Sequence, residues 1–173
     1  MKDSRDIYLF HVSNNRLWAS FPNSLLSLCN PLIAAGFNPG IIDTALTGSR
    51  DYVPREPLFA GFSIYTDANI SQALKIAAQL RRRYPSLPLV WGGPHVIVLP
   101  EQTARHPLVD VACYGEGEDA VVDLARSFQS GNRSLSHIPG IIWKDGQGAC
   151  VRNEPSPCVD LDRVEVYPYH ILD

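Results

Sequence analysis

The chain has 173 residues, of which 45% are hydrophobic and 19% are charged, and its formal net charge is -3. This length suits one domain with a sizeable core, and this composition is typical of a globular protein rather than a disordered, fibrous or membrane protein. The charge gives no basic surface of the kind that binds nucleic acid, because the one basic run, residues 81–83, ends a predicted helix where cations suit the helix dipole.

The four cysteines lie far apart, at Cys29, Cys113, Cys150 and Cys158, and the chain begins without the features of a secretory signal peptide. Their spacing matches neither a CxxC zinc pair nor a CxxxCxxC motif for an iron–sulfur cluster. We therefore predict free thiols, no metal-binding side chains, a cytoplasmic location, and no membrane or nucleic-acid partner.

Short, almost continuously apolar runs alternate with helical patterns up to about residue 130. This alternation predicts βαβ units and an α/β fold with a doubly wound parallel sheet of about five strands, each covered on both faces. The predicted strands span 7–12, 40–43, 59–64, 87–91 and 109–114.

Helices are predicted over 69–83 and 118–128, where apolar side chains recur at three- and four-residue intervals. Residues 23–35 are also helical in pattern, but Pro31 predicts a kink or a restart capped by Asn30. Gly36 then supplies a helix stop. The connections 44–57 and 100–106 carry no comparable pattern, and the second has room for two helical turns.

After about residue 130 the pattern changes. Residues 141–143 and 149–151 flank a glycine-containing turn, which predicts a β-hairpin appended to the sheet. From residue 153 onward, prolines and aspartates indicate an extended segment that crosses a surface or leads to another domain. The predicted division is a domain over 1–135, followed by a hairpin and linker over 136–173.

In a doubly wound sheet, ligands bind beyond the carboxyl ends of the strands, where the winding direction reverses. Four loops at that edge are rich in glycine or small polar residues, which allow a ligand to approach the backbone closely. The candidate residues after the first, third, fourth and fifth strands are Ser13, Asn14 and Asn15; Ser63, Thr66 and Asp67; Gly92, Gly93, Pro94 and His95; and Tyr114, Gly115, Glu116 and Gly117.

Each loop by itself has a purely structural explanation. Gly92 and Gly93 can form a tight turn, and Glu116 and Glu118 suit the start of a helix. His95, without a second ligand nearby in the sequence, is poor evidence for a metal site. Only the combination of four such loops at one edge of the sheet points to a ligand.

The motifs VWGGPH at 90–95, LPEQ at 99–102 and YGEGE at 114–118 follow one another in fixed order. With IPGI at 138–141 and DLD at 160–162, they resemble the N-terminal cobalamin-binding domains of cobalamin-dependent radical S-adenosylmethionine proteins. The resemblance covers most of the chain from about residue 57. It implies a Rossmann-like sheet in flavodoxin-like strand order that holds the corrin ring over the strand-end loops and buries the nucleotide tail along the sheet edge.

The resemblance implies that cobalamin is the cofactor. Carried over by position, the residues that contact it are Ser63, Thr66, Gly92, Gly93, His95, Gly115, Glu116 and Gly117. It also implies a parent methyltransferase whose radical barrel, in cis or in trans, holds S-adenosylmethionine and a 4Fe-4S cluster, so the module is not catalytic alone. Many cobalamin domains supply a histidine ligand from a DxHxxG motif, which this sequence lacks. We therefore expect base-off binding, with the lower cobalt face open to water or to a side chain of residues 13–16.

A different class with the same fold is a flavodoxin-like regulatory domain, or a flavin- or anion-binding domain, that takes no corrinoid. A phosphorelay receiver would need acidic residues after the first strand and an aspartate after the third. The sequence has VSNN at 12–15 and SIYT at 63–66 instead. A flavin-binding variant stays open, because TDAN at 66–69 offers groups that bind phosphate at a helix start.

Overall fold

The computed structural model describes residues 6–13, 21–47, 55–66, 69–158 and 166–172. Its strands are β1 Ile7–His11, β2 Pro39–Asp43, β3 Phe59–Ser63, β4 Leu89–Gly92, β5 Val111–Cys113, β6 Ile141–Lys144 and β7 Cys150–Arg152. Its α-helices are α1 Asn23–Ala34, α2 Thr44–Thr47, α3 Asn69–Arg83, α4 Pro94–Val98, α5 Pro100–Ala104 and α6 Glu118–Gln129, and a 3₁₀ helix spans Tyr169–Leu172. Within these ranges no helix is both long and apolar enough to cross a membrane.

The strands form one seven-stranded sheet in the order β2-β1-β3-β4-β5-β6-β7. Strands β1 to β5 are parallel, which confirms the predicted doubly wound sheet and its flavodoxin-like order. The winding direction reverses between β1 and β3, because β2 lies on one side of β1 while β3 and β4 extend the sheet on the other. The carboxyl ends of these two strands mark the edge where a ligand site is expected.

Alternate strand residues enter two separate hydrophobic cores. Ile7 and Leu9 point to the face covered by α1 and α6, whereas Tyr8 and Phe10 point to the face covered by α3, α4 and α5. On the second face Phe10, Phe62 and Trp91 form a stacked row, with ring centroids 5.0 and 5.2 Å apart. Burial on both faces explains why the strand sequences are almost continuously apolar.

The predicted hairpin is confirmed as β6 and β7, and it extends the edge of the main sheet. Strand β6 pairs antiparallel with β5, with Ile142 opposite Ala112. The hairpin turn is closed by Asp145, whose carboxylate accepts hydrogen bonds from the backbone N–H groups of Gln147 and Ala149 at 2.8 and 2.9 Å. The proposed division of the chain at residue 135 stays a prediction.

Helix α1 runs without a break through Pro31, so the predicted restart at Asn30 is wrong. The side chain of Asn30 instead donates a hydrogen bond to the Val166 carbonyl at 2.9 Å. A proline inside a helix costs about 3 kcal/mol. Burial of one leucine side chain stabilises the folded state by about 1.5–3 kcal/mol. Helix α1 buries three, Leu25, Leu26 and Leu32, against the sheet. Packing therefore outweighs the lost backbone hydrogen bond.

The predicted stop at Gly36 is confirmed. Gly36 has a φ of 88°, and the N–H groups of Gly36 and Phe37 donate to the carbonyls of Ile33 and Leu32 at 2.9 and 3.0 Å. This pair of hydrogen bonds is the Schellman motif, in which a residue with positive φ closes the last helical turn.

The substitution Pro31→Ala is expected to raise the free energy of unfolding by about 1–2 kcal/mol, because it restores an N–H group inside α1 at the cost of some unfolded-state entropy. Chemical denaturation followed by circular dichroism measures the change. Pro107→Ala, in a turn between α5 and β5, is the matched control and should show no gain. Equal or lower stability of Pro31→Ala would contradict this account of α1.

Candidate functional site

A strip of small residues lies on the α1/α6 face of the sheet, near the carboxyl ends of β3 and β4. Gly61 sits in the register between Leu9 and Val90, and Ser63 lies opposite Gly92. A Cβ atom at Gly61 would come within 2.7 Å of the Leu9 side chain, so even alanine would force Leu9 to move. The sheet therefore presents almost no side-chain volume to α1 and α6 along this strip.

Between the strip and the two helices lies a cavity of about 190 Å³. Its walls are mainly apolar, with the polar residues Ser24, Ser27, Ser63, Glu116 and Glu118 among them. Strand residues that line it are Leu9, Phe59, Gly61, Phe62, Ser63, Val90, Gly92 and Cys113. Residues of α1 and α6 that line it are Ser24, Leu25, Ser27, Leu28, Glu118, Val121 and Leu124. The others are Gly93, Ile97, Gly115, Glu116 and Gly117. Among the described residues that line the cavity, none is Lys, Arg or His.

The turn after β4 brings its backbone against the end of β3. Gly93 has a φ of 93°, and a Cβ atom there would lie 2.8 Å from the backbone nitrogen of Ile64. The N–H of His95 donates to the Ile64 carbonyl at 3.0 Å, and the N–H of Ile64 donates to the Gly92 carbonyl at 2.9 Å. Glycine at position 93 is required on both counts, since L residues rarely adopt this φ and the neighbouring atoms are backbone.

The loop after β5 is packed just as closely. A Cβ atom at Gly117 would lie 2.9 Å from Leu28 of α1, so this glycine allows α1 to approach the first turn of α6. That turn carries Glu118 and Asp119, which suit the positive end of the helix dipole and disfavour an anion there.

The structure brings six of the predicted residues together around the cavity: Ser63, Gly92, Gly93, Gly115, Glu116 and Gly117. Beside the cavity, Thr66 Oγ1 and His95 Nδ1 are 3.1 Å apart, and Pro94 begins α4. The N–H of Ser13 donates to the Thr44 hydroxyl, which donates in turn to the Ser13 carbonyl. The predicted residues Asn14, Asn15 and Asp67 lie outside the described residues.

Tyr114 is separated from the other loop residues by its orientation. Its ring packs with the core on the α3 side of the sheet, and the guanidinium of Arg152 lies 4.2 Å from the ring centroid. Its hydroxyl donates to the Asn153 carbonyl. The side chain thus fixes the hairpin side of the loop and is not among the residues that line the cavity.

Most cavity residues inside regular elements were not among the predicted site residues; examples are Gly61 in β3, Cys113 in β5, and Ser24, Ser27 and Leu28 in α1. A signal for Gly61 was present, because a glycine in the interior of an apolar strand often marks a place where a ligand or another backbone comes close. The two serines of α1 gave no comparable signal, since isolated serines are ordinary on a helix surface.

Burial raises the pKa of the Cys113 thiol to about 12. The residue borders the cavity, and its thiol is therefore held in the neutral form, which is a poor nucleophile. Cys150 and Cys158 are exposed, and no disulfide bond joins any of the four cysteines in the described structure.

In the native chain at about pH 8, iodoacetamide is expected to alkylate Cys150 and Cys158 well before Cys113, because the raised pKa leaves little thiolate at position 113. Peptide mass spectrometry at timed intervals measures each rate, and the urea-unfolded chain, in which all sites should react alike, is the control. Labelling of native Cys113 as fast as Cys150 would show that its thiol is not enclosed.

The substitution Gly93→Ala is expected to lower the free energy of unfolding by about 1–3 kcal/mol, because of the left-handed φ and the contact with Ile64. Gly146→Ala is the control, since a Cβ atom at Gly146 would meet nothing within 4 Å. Denaturant titrations of both variants test the difference, and equal stabilities would refute the close approach at Gly93.

The chain resembles known proteins in both sequence and fold. The chain is 35% identical over 97 residues to the cobalamin-dependent radical S-adenosylmethionine methyltransferase TokK of Streptomyces tokunonensis; the alignment covers 56% of this chain and 14% of the relative. The fold matches the radical S-adenosylmethionine methyltransferase TsrM from Kitasatospora setae, solved with cobalamin and a 4Fe-4S cluster bound, with a TM-score of 0.76 at 22% identity, over 94% of this chain and 31% of that one.

A second solved structure, the cobalamin-dependent S-adenosylmethionine radical enzyme OxsB with aqua-cobalamin and S-adenosylmethionine bound, matches with a TM-score of 0.74 at 18% identity. This match covers 89% of the chain and 22% of OxsB, so the chain corresponds to a minor part of each of these proteins. Residues 24–125 match the family model described as the B12 binding domain. That span holds α1, the parallel strands β2 to β5 and most of α6, and the chain belongs to the B12-binding domain family.

Proposed function

We propose that the chain is the cobalamin-binding module of a cobalamin-dependent radical S-adenosylmethionine enzyme, with a methyltransferase as the parent. The observation that carries this proposal is the cavity between α1, α6 and the glycine- and serine-lined strip of the sheet, placed at the edge where doubly wound folds bind ligands. Membership of the B12-binding domain family supports cobalamin as the occupant.

The size of the cavity suits one part of cobalamin. Pockets that enclose a whole drug-sized ligand measure roughly 300–1,000 Å³, whereas this cavity measures about 190 Å³. A flat heterocycle such as the nucleotide base of cobalamin fits a slot of this kind, and the much larger corrin ring requires the open edge above it. The Ser63 hydroxyl and the backbone at Gly61, Gly92 and Gly117 are the groups that would hold the tail.

The corrin ring, in this proposal, lies against the loops that follow β3, β4 and β5. Glycine at positions 92, 93 and 115 leaves backbone groups accessible, which suits the amide side chains around a corrin. Thr66 and His95, which contact each other at 3.1 Å, stand beside these loops. The candidates Ser13, Pro94 and Tyr114 support the loops from either side, and Asn14, Asn15 and Asp67 stay predictions from the sequence.

We further propose base-off binding without a histidine ligand to cobalt. The sequence contains no DxHxxG motif, and insertion of the nucleotide base between the helices and the sheet would keep it away from the metal. When bound, the cobalt of cobalamin supplies a site that can accept and donate a methyl group. The protein side chains around the cavity orient the cofactor and exclude water from its tail.

The parent enzyme would require a second unit. The chain spans 14% of TokK and 31% of TsrM, and those proteins are named as radical S-adenosylmethionine methyltransferases. We propose that a radical barrel in cis or in trans holds S-adenosylmethionine and the 4Fe-4S cluster and faces the corrin. Ile97, which lines the cavity, is 56% exposed, and its neighbour Val98 is 71% exposed; both suit a surface that is covered in such an assembly.

The flavodoxin-like alternative, a flavin- or anion-binding domain, is less compatible with the charges at the site. Glu116, Glu118 and Asp119 surround the start of α6, where a phosphate group would otherwise be favoured. Part of the TDAN segment on which that alternative depends lies outside the described residues.

Hydroxocobalamin added to the purified chain is expected to remain bound after desalting, at close to one equivalent and with a base-off visible spectrum. Ser27→Phe, which places a bulky ring in the cavity, should weaken binding by at least roughly tenfold. Ala34→Phe, on the exposed end of the same helix, is the matched control and should bind normally. Equal affinity of the two variants would refute the cavity as the tail site, and an imidazole-type spectrum would refute the base-off mode.

A further inference from the structure

The segment 153–158 follows the hairpin and passes directly beside the loop after β5. The Ser156 hydroxyl accepts a hydrogen bond from the backbone N–H of Glu116 at 3.0 Å. The Glu154 carbonyl accepts one from the N–H of Gly140 at 2.7 Å, and the Asn153 carbonyl accepts the Tyr114 hydroxyl. Segment 153–158 is therefore hydrogen-bonded to Gly140 and to the loop after β5, residues 114–117, which we call the cavity loop.

Two glycines create the space that Ser156 occupies. A Cβ atom at Gly115 would lie 2.1 Å from Ser156 Oγ, and one at Gly140 would lie 2.9 Å from the same atom. Gly140 also has a φ of 75°, and its carbonyl accepts the N–H groups of Tyr114 and Gly115 at 2.8 and 3.3 Å. The Ser156 side chain thus fills a slot whose two walls are backbone.

The other end of the segment is fixed to the core of the domain. The Asn153 amide donates to the carbonyls of Leu135 and Ile138 at 2.7 and 2.6 Å, and its oxygen accepts the Trp143 indole N–H at 3.1 Å. Because Asn153 is held at both ends of its amide, the position of Ser156 is set by the hairpin. The Ser156 hydroxyl therefore adds a side-chain hydrogen bond to Glu116, beside the bond from the Tyr114 hydroxyl to the Asn153 carbonyl.

The loop that Ser156 holds forms one wall of the cavity, through Gly115, Glu116 and Gly117. We propose that Ser156 is a positioning residue, which keeps this loop at the distance from α1 that admits the nucleotide tail of cobalamin. This inference rests on the proposed function, because it assigns Ser156 a part in binding the same ligand. A serine far from the glycine-rich motifs thereby determines the shape of the site that they form.

A positioning role and a purely structural role differ in what they change. Loss of a structural contact lowers the stability of the domain and weakens every ligand alike. Loss of the Ser156 hydroxyl, with its Cβ atom kept by alanine, releases only the wall that faces the nucleotide tail. Cobinamide, which has the corrin ring and lacks the nucleotide, separates the two roles.

Ser156→Ala in the 173-residue chain is expected to bind cobalamin roughly 3- to 10-fold more weakly, the size of effect that one hydrogen bond gives, while its affinity for cobinamide stays at the wild-type value. Ser136→Ala, which removes an exposed hydroxyl from the neighbouring loop, is the matched control and should change neither affinity. An equal loss for both corrinoids, or no loss for either, would overturn the proposal.

Amide hydrogen exchange of the unloaded chain tests the same link without any ligand. The Glu116 amide should exchange faster in Ser156→Ala than in the wild type and in Ser136→Ala, at an unchanged melting temperature. Unchanged exchange at Glu116 would refute the inference directly. Failure of the wild-type chain to retain cobalamin would instead count against the proposed function, and the exchange result would still decide whether Ser156 holds the loop.

Discussion

The site depends on one constraint: on one face of the sheet, the strand positions 61, 63 and 92 carry only glycine or serine. In most doubly covered sheets the strand residues fill the space up to the helices, as they do here on the α3 side. At Gly61, Ser63 and Gly92 that filling is absent, so α1 and α6 meet each other instead of the strand ends. The helices are held over a gap by the packing of Leu28 against Gly117 and by the apolar residues on either side of the gap.

The architecture could be predicted almost completely from the sequence, because strands buried on both faces leave a strong apolar signal and the helices between them are amphipathic. The prediction failed at α1, where the local rule about proline was correct but was outweighed by tertiary burial of the helix. The hairpin was predicted correctly, but its partner strand was not specified, since pairing of β6 with β5 is a long-range contact that no local pattern specifies.

The site was predicted in part. Loops with GG or GEG are easy to recognise in the sequence, and five of their residues, together with the predicted Ser63, line the cavity. Gly61 was missed although a glycine inside an apolar strand is itself a signal, and the contribution of α1 depends on the direction in which the helix is packed. Ser156 was beyond any sequence argument, because its relation to Gly115 and Gly140 exists only after the hairpin has folded back.

The two hydrophobic cores share no residue, and the sheet separates them completely. Most residues that line the cavity lie on the α1/α6 side, whereas Phe10, Trp91 and the packing of α3 lie on the other. Effects of substitutions on opposite sides should therefore be nearly additive. During evolution, substitutions in the layer with the cavity can therefore change ligand preference, while the layer on the other side of the sheet maintains the free energy of unfolding.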